Sequence, residues 1–165
     1  MPRRRHPGLI PLSHEHRDAL GLAFRLHNPS PPGPVTAMTP ASTPQSRAAE
    51  TLAFFDASLR RHFRIEEELV FPFLRTHLPA DSAGRTLLVE LPDDHGRLIE
   101  LRDAVAAATD EVALGAALTA FADLLEAHVR REERQLFDEF PGEASRDQVD
   151  AVAAAIRAAL APPSA

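Results

Sequence analysis

The sequence predicts an all-α protein, an up-down-up-down four-helix bundle with a short extra C-terminal helix. Three observations point to it. Apolar residues recur at steps of three or four, as in Ala48, Leu52, Phe55, Leu59 and Phe63, and no stretch alternates apolar and polar residues as a half-buried strand would. Turn-forming residues divide the chain into four long periodic segments, and consecutive helices joined by turns pack as antiparallel neighbours. At 165 residues and 18.0 kDa the chain is long enough to bury one core without disulfide or metal staples.

The elements follow in order. Residues 1–11 hold three Pro and three Arg with little periodicity and read as an N-terminal arm. Leu12, Leu20, Leu22, Ala23, Phe24 and Leu26 then mark an amphipathic helix, with Ser13 as its N-cap and Glu15 and Asp18 near its positive end. Residues 28–44 contain six Pro and read as a long connection, because proline in a helix interior removes a donor and clashes with the preceding turn. From Gln45 a second helix runs to Phe71, where Pro72 kinks or ends it, and Leu78-Pro79-Ala80-Asp81 makes the turn. Residues 81–108 form a third helix, interrupted or restarted at Pro92, with Asp93 and Asp94 complementing the dipole. Thr109-Asp110 caps a fourth, which carries Leu114, Leu118, Phe121, Leu125 and Val129 inward and stops at Pro141-Gly142. Val149, Val152, Ile156 and Leu160 build a last short helix, about 145–160, across the bundle end. The domain is thus an arm over 1–11, a bundle over 12–140 and a C-terminal helix and tail over 141–165.

A formal charge of -6 argues against nucleic acid or an anionic membrane surface as partner, since both demand positive surface. No apolar run approaches the roughly 20 residues that span a bilayer, so a cytoplasmic protein is expected. The chain has no Cys, which excludes disulfides, thiolate catalysis and thiolate metal ligation; any metal must be held by nitrogen and oxygen. Trp and Tyr are absent too, which removes tyrosyl radicals and phenolate ligands.

An internal repeat carries the chemistry. His62-Phe63-Arg64-Ile65-Glu66-Glu67-Glu68-Leu69-Val70-Phe71 and His128-Val129-Arg130-Arg131-Glu132-Glu133-Arg134-Gln135-Leu136-Phe137 are identical at five of ten positions. In both, His and the first Glu stand four apart, so one imidazole and one carboxylate lie on one face of a helix. A single His-x-x-x-Glu is ordinarily a surface ion pair worth a few tenths of a kcal/mol. Two in matching contexts, opposite Glu15-His16 on the first helix and Asp94-His95 on the third, point instead to a metal site between facing helices. One half would contribute His16, His62 and Glu66, the other His95, His128 and Glu132. Four imidazoles and two carboxylates exceed one tetrahedral zinc but suit two ions sharing both carboxylates, with iron preferred and manganese or zinc as alternatives. Glu67, Glu68, Glu133, Arg130 and Arg134 are read as solvated faces and outer partners, with Glu67 as a substitute ligand. The phenylalanines Phe55, Phe63, Phe71, Phe121 and Phe137 are assigned to the core. His14 points roughly 200° from His16 on a helix and so outward; His77 is structural or exposed, and His6 and His27 sit at element ends.

These segments, with Leu12-Ser13-His14-Glu15-His16 ahead of them, resemble the hemerythrin-like family of HHE cation-binding domains over about residues 12–140. The resemblance implies a four-helix bundle around a non-haem di-iron centre, with a small diatomic gas or peroxide as its ligand. Oxygen-carrying members of that family supply a fifth His, one turn from the third-helix His; here those places hold Leu91 and Ile99. Glu132 also stands four residues after His128, where those members place an Asp at five. The resemblance therefore implies an open coordination position, suited to binding O2, NO or iron in sensing, storage or stress protection, or alternatively to oxidase or peroxidase chemistry.

Overall fold

A computed structural model describes residues 6–29 and 42–161, and within them the chain is the expected all-α bundle. The helices are α1 (Ile10–His27), α2 (residues 44–77), α3 (Ala83–Ala107), α4 (Glu111–Glu139) and the short α5 (Arg146–Leu160). Helix α4 packs along both α1 and α3, and the first part of α2 packs on α3 and α4. Most of the proline-rich connection expected over 28–44 lies outside the described residues, as do residues 1–5 of the arm.

Several ends differ from the expected ones. Pro7–Leu9 form a 3-10 turn that leads straight into α1 at Ile10, and Pro11 occupies the first helical turn, where no amide donor is needed. Ser13 is therefore inside the helix and caps nothing. Phe24, expected on the buried face, is 67% exposed, because Leu22, Ala23 and Leu26 fill that face and the next position turns about 100° away. Helix α2 starts at Pro44, where Thr43 Oγ1 accepts the Ser46 amide, and Asp110 caps α4 in the same way through Ala113. By length and composition α4 is apolar enough to cross a membrane, which corrects the reading that no segment is; among the described residues it is the one such helix, and it packs between α1 and α3.

Neither internal proline ends its helix. In α2, the turn Glu66–Val70 is π-helical and the Phe71 amide donates to the Glu66 carbonyl, so Pro72 falls at the start of a fresh α segment where its missing N–H costs little. In α3, Pro92 removes the amide that should reach the carbonyl of Leu88. The Arg75 guanidinium, from α2, supplies the replacement: Nη2 donates to that carbonyl at 3.2 Å. The helix thus runs unbroken through Ala107.

The repeat extends well beyond the His-Glu pairs. Phe55, Leu59, His62, Glu66, Val70 and Phe71 have buried counterparts in Phe121, Leu125, His128, Glu132, Leu136 and Phe137. On the other two helices Leu12, His16, Ala19 and Leu26 match Leu91, His95, Leu98 and Val105. Both Glu66 and Glu132 open a π-helical turn, so the backbone repeats the irregularity along with the residues. The apolar core is divided in two. One cluster gathers around Phe55, Phe63, Leu98 and Phe121, the other around Leu12, Phe71, Leu91 and Phe137, and the buried His and Glu residues lie on the same helices between them.

Helix α5 begins with a full capping box of Ser145 and Gln148 and adds Val149 and Ile156 to the second cluster. It rests on the Pro7–Leu9 turn and on the π turn of α2, as expected for a helix across one end. Gly8 permits that approach, since a Cβ there would stand 2.8 Å from the Ala153 methyl.

The Arg75 contact gives a direct test. Arg75→Ala should lower unfolding free energy in urea by about 1–2 kcal/mol, the cost of an unpaired carbonyl. In a Pro92→Ala background, where the helix regains its own donor, the same substitution should cost less than half as much.

Candidate metal centre

Each predicted site residue sits at a position its helix turns inward. His16, His62, His95, His128, Glu66 and Glu132 are all between 0% and 2% exposed, and the structure brings all six together. They form two overlapping groups: His16 and His62 with both glutamates, and His95 and His128 with the same two. Glu66 Oε1 lies 3.0 Å from His62 Nε2 and 3.4 Å from His16 Nε2, while Oε2 lies 3.4 Å from His95 Nε2. Glu132 Oε2 lies 3.1 Å from His16 Nε2 and 3.3 Å from His128 Nε2. Each carboxylate therefore reaches both halves.

The other nitrogen of every imidazole faces a further carboxylate. His16 Nδ1 meets Glu133 Oε1 at 2.8 Å, His62 Nδ1 meets Glu15 Oε2 at 2.8 Å, and His95 Nδ1 meets Glu67 Oε1 at 2.7 Å. His128 Nδ1 stands 3.4 Å from Asp94 Oδ2. A proton on each Nδ1 points at these oxygens, within ordinary hydrogen-bond distance for His16, His62 and His95 and at a stretched one for His128, and leaves every Nε2 as a lone pair turned to the centre. The four ε nitrogens then face one another and the glutamates without a donor between them, at 2.8 Å for His16 and His62 and 3.2 Å for His95 and His128. All four oxygens of Glu66 and Glu132 are accordingly buried without a hydrogen-bond partner. Nitrogen and oxygen donors converging with their lone pairs inward, on carboxylates that cannot bear burial alone, fit a cation.

Electrostatics say the same of the metal-free chain. Burial opposes charging His16, yet Glu132, Glu133 and Glu66 outweigh it and hold the imidazole well above its usual range. Burial likewise opposes charging His128, but Glu132, Asp94 and Glu66 prevail and push it up to about 9. His62 is raised against its own burial by Glu66 and Glu15. Burial would raise Glu132, and so would the charge of Glu66, but His128 and His16 bring it down to about 2. Glu66, also opposed by burial, is held well below its usual value by His62, His16 and His95. The centre demands positive charge, and protons supply it when nothing else does.

Aromatic rings hold the imidazoles in place. Phe63 stacks on His95 with centroids 4.0 Å apart, and Phe137 on His16 at 5.3 Å. All five phenylalanines assigned to the core are buried. Glu67, read as an outer partner and alternatively as a substitute ligand, takes the outer place, facing His95 Nδ1 and lying outside both four-residue groups. Of Glu15 and Asp94, read chiefly as complements to helix dipoles, the first orients His62 across the helix interface and the second faces His128 at a longer distance. The available signal was the acid before each lone His. His14 is exposed, His6 caps the first turn through the Gly8 amide, and His27 sits at the end of α1 beside Asp123, none of them in the cluster.

The pKa directions fix how stability should follow pH without metal. The raised His128 contributes stability that is complete below its unfolded value of 6.5 and is lost as pH rises through about 9. The depressed Glu132 contributes stability present above 4.5 and lost as pH falls through about 2. The metal-free protein should therefore melt at higher temperature at pH 6.5 than at pH 9. A metal-loaded sample should show the reverse towards about pH 5, where protons displace the ion from the imidazoles. Scanning calorimetry on both samples across this range checks the crossing trends.

Comparison with known proteins agrees with the geometry. No curated protein and no solved structure matches the chain. The family model described as the hemerythrin HHE cation binding domain matches residues 10–140, from the first residue of α1 to one residue past the end of α4, with all six clustered residues inside it. The chain thus belongs to the hemerythrin HHE cation-binding domain family, and its buried His and Glu cluster, which could hold a metal ion, lies within the matched residues.

Proposed function

We propose that the chain is a non-haem di-iron protein whose centre binds a small diatomic gas, peroxide or iron itself, in sensing, storage or stress protection in the cytoplasm. The observation that carries the reading is the overlap of the two four-residue groups, which share both glutamates. One ion would take His16 and His62, the other His95 and His128, with Glu66 and Glu132 common to both. A set of nitrogen and oxygen donors without thiolate suits iron, and manganese and zinc are the alternatives to be separated by experiment. Bound iron would supply redox chemistry and a Lewis acid. The protein's own residues orient the imidazoles through the outer carboxylates and surround them with Phe63, Phe71 and Phe137.

Two imidazoles and shares in two carboxylates leave coordination positions open at each ion. Leu91, one turn before His95 on the same face, is fully buried, and Ile99, one turn after it, is 40% exposed. An apolar side chain therefore stands where a third imidazole could reach that half. Such an opening favours ligand binding, and it equally motivates a second reading, an oxidase or peroxidase that uses the same position. Rapid turnover of H2O2 or of a ferrous substrate by the reconstituted protein would favour the enzyme; slow autoxidation alone favours the binding protein.

Metal analysis and optical spectra of protein expressed in iron-replete medium test the reading. The expected content is two iron per chain, falling sharply in His62→Ala and His128→Ala. Less than one transition metal per chain, or unchanged content in both variants, would sink it. Chelation should also lower the melting temperature, since an ion at about a hundred times its Kd contributes about 2.7 kcal/mol by linkage.

A further inference from the structure

The two halves of the centre share a repeat but not its outer supports. Around His16 and His62 both outer carboxylates are anchored. Glu133 Oε1, which meets His16, also accepts the Ser13 hydroxyl at 2.7 Å. Glu15, which meets His62, is gripped on its other oxygen by Arg61 Nη2 at 2.7 Å. These carboxylates are only 23% and 17% exposed. Charge-assisted bonds of this length fix both the tautomer and the tilt of each imidazole.

The repeat positions that should do the same for the other half are altered. Pro92 stands where Ser13 stands on α1 and offers no hydroxyl, and Ala127 stands where Arg61 stands on α2 and offers no guanidinium. Glu67, the partner of His95, is 46% exposed and among the described residues hydrogen-bonds to His95 alone. Asp94 is taken by Arg131, which binds the very oxygen that faces His128 and is itself shared with Glu90 at 3.0 Å. The His128 contact is left at 3.4 Å, beyond the usual hydrogen-bond range.

Building on the two-ion reading above, we propose that the metal positions are unequal: the His16 and His62 position is preorganised and fills first, and the His95 and His128 position is labile. Outer partners of ligand imidazoles are worth 10–100-fold in metal affinity, and the first half has two anchored ones where the second has one exposed and one stretched. Ser13, Glu15 and Glu133 are positioning residues for the tight ion, and Glu67 for the loose one. A centre built this way holds one ion firmly while exchanging the other.

The test is a titration of the full-length, metal-free protein with Co2+ alone, followed by its visible absorption in the presence of a competing chelator. Two ions should bind, the first at least about tenfold tighter than the second. Ser13→Ala and Glu15→Gln should weaken the first step about tenfold or more and Glu67→Gln only the second, with far-UV helicity of the metal-free variants unchanged. Should Glu15→Gln fail to fold, Ser13→Ala carries the same comparison, since it removes a hydroxyl and no charge. Equal affinities in the unmodified protein, or a first step weakened by Glu67→Gln, would overturn the proposal. Fewer than two Co2+ at saturation would refute the two-ion reading itself, so the two failures are read from different quantities, stoichiometry and step affinity.

Discussion

Two carboxylates buried in a helical core dominate this structure. Glu66 and Glu132 are fully buried and all four of their oxygens lack a hydrogen-bond partner. An unpaired carboxylate at that depth costs several kcal/mol, enough to threaten a domain whose net stability is about 5–15 kcal/mol. Four imidazoles from four helices surround the pair, and positive charge in their midst, as protons or as a bound cation, is what lets the helices close. The bundle cannot place its halves independently, because each glutamate faces imidazoles from both.

The backbone yields to this demand. A π turn starts at each buried glutamate, and such turns re-aim a side chain by inserting one residue into the helical ladder. In α2 the same turn absorbs Pro72, so one irregularity serves both the site and the helix. In α3 the solution comes from outside, with Arg75 supplying the donor that Pro92 lacks. Elsewhere packing is ordinary: two apolar clusters flank the polar layer, and α5 closes one of them.

Near two-fold repetition makes the differences between the halves informative. Where Ser13 and Arg61 anchor carboxylates on one side, Pro92 and Ala127 offer nothing on the other, and Arg131 takes over in part. Buried His and Glu positions are held in common because each answers the same charge balance. The outer carboxylates range from the buried Asp94 to the half-exposed Glu67, and the differences among them show in how firmly each imidazole is held.

The sequence by itself determined the helical class, the approximate helices, the repeat and the six inward donors. Periodicity of three or four and paired His-x-x-x-Glu are local patterns, legible wherever a helix presents one face to the core. It also marked Glu15, Asp94, Glu67 and Glu133 as acids near the site, but not which imidazole each would meet. Every one of those bonds crosses between helices, at an angle and depth that only packing sets. Tertiary structure likewise decided that Pro72 and Pro92 end neither helix, since a π turn places Pro72 at the start of a fresh α segment and the donor that Pro92 lacks comes from Arg75 on the neighbouring α2. What a helix can offer is written along it; what that offer meets is fixed only when the four helices close on a common charge.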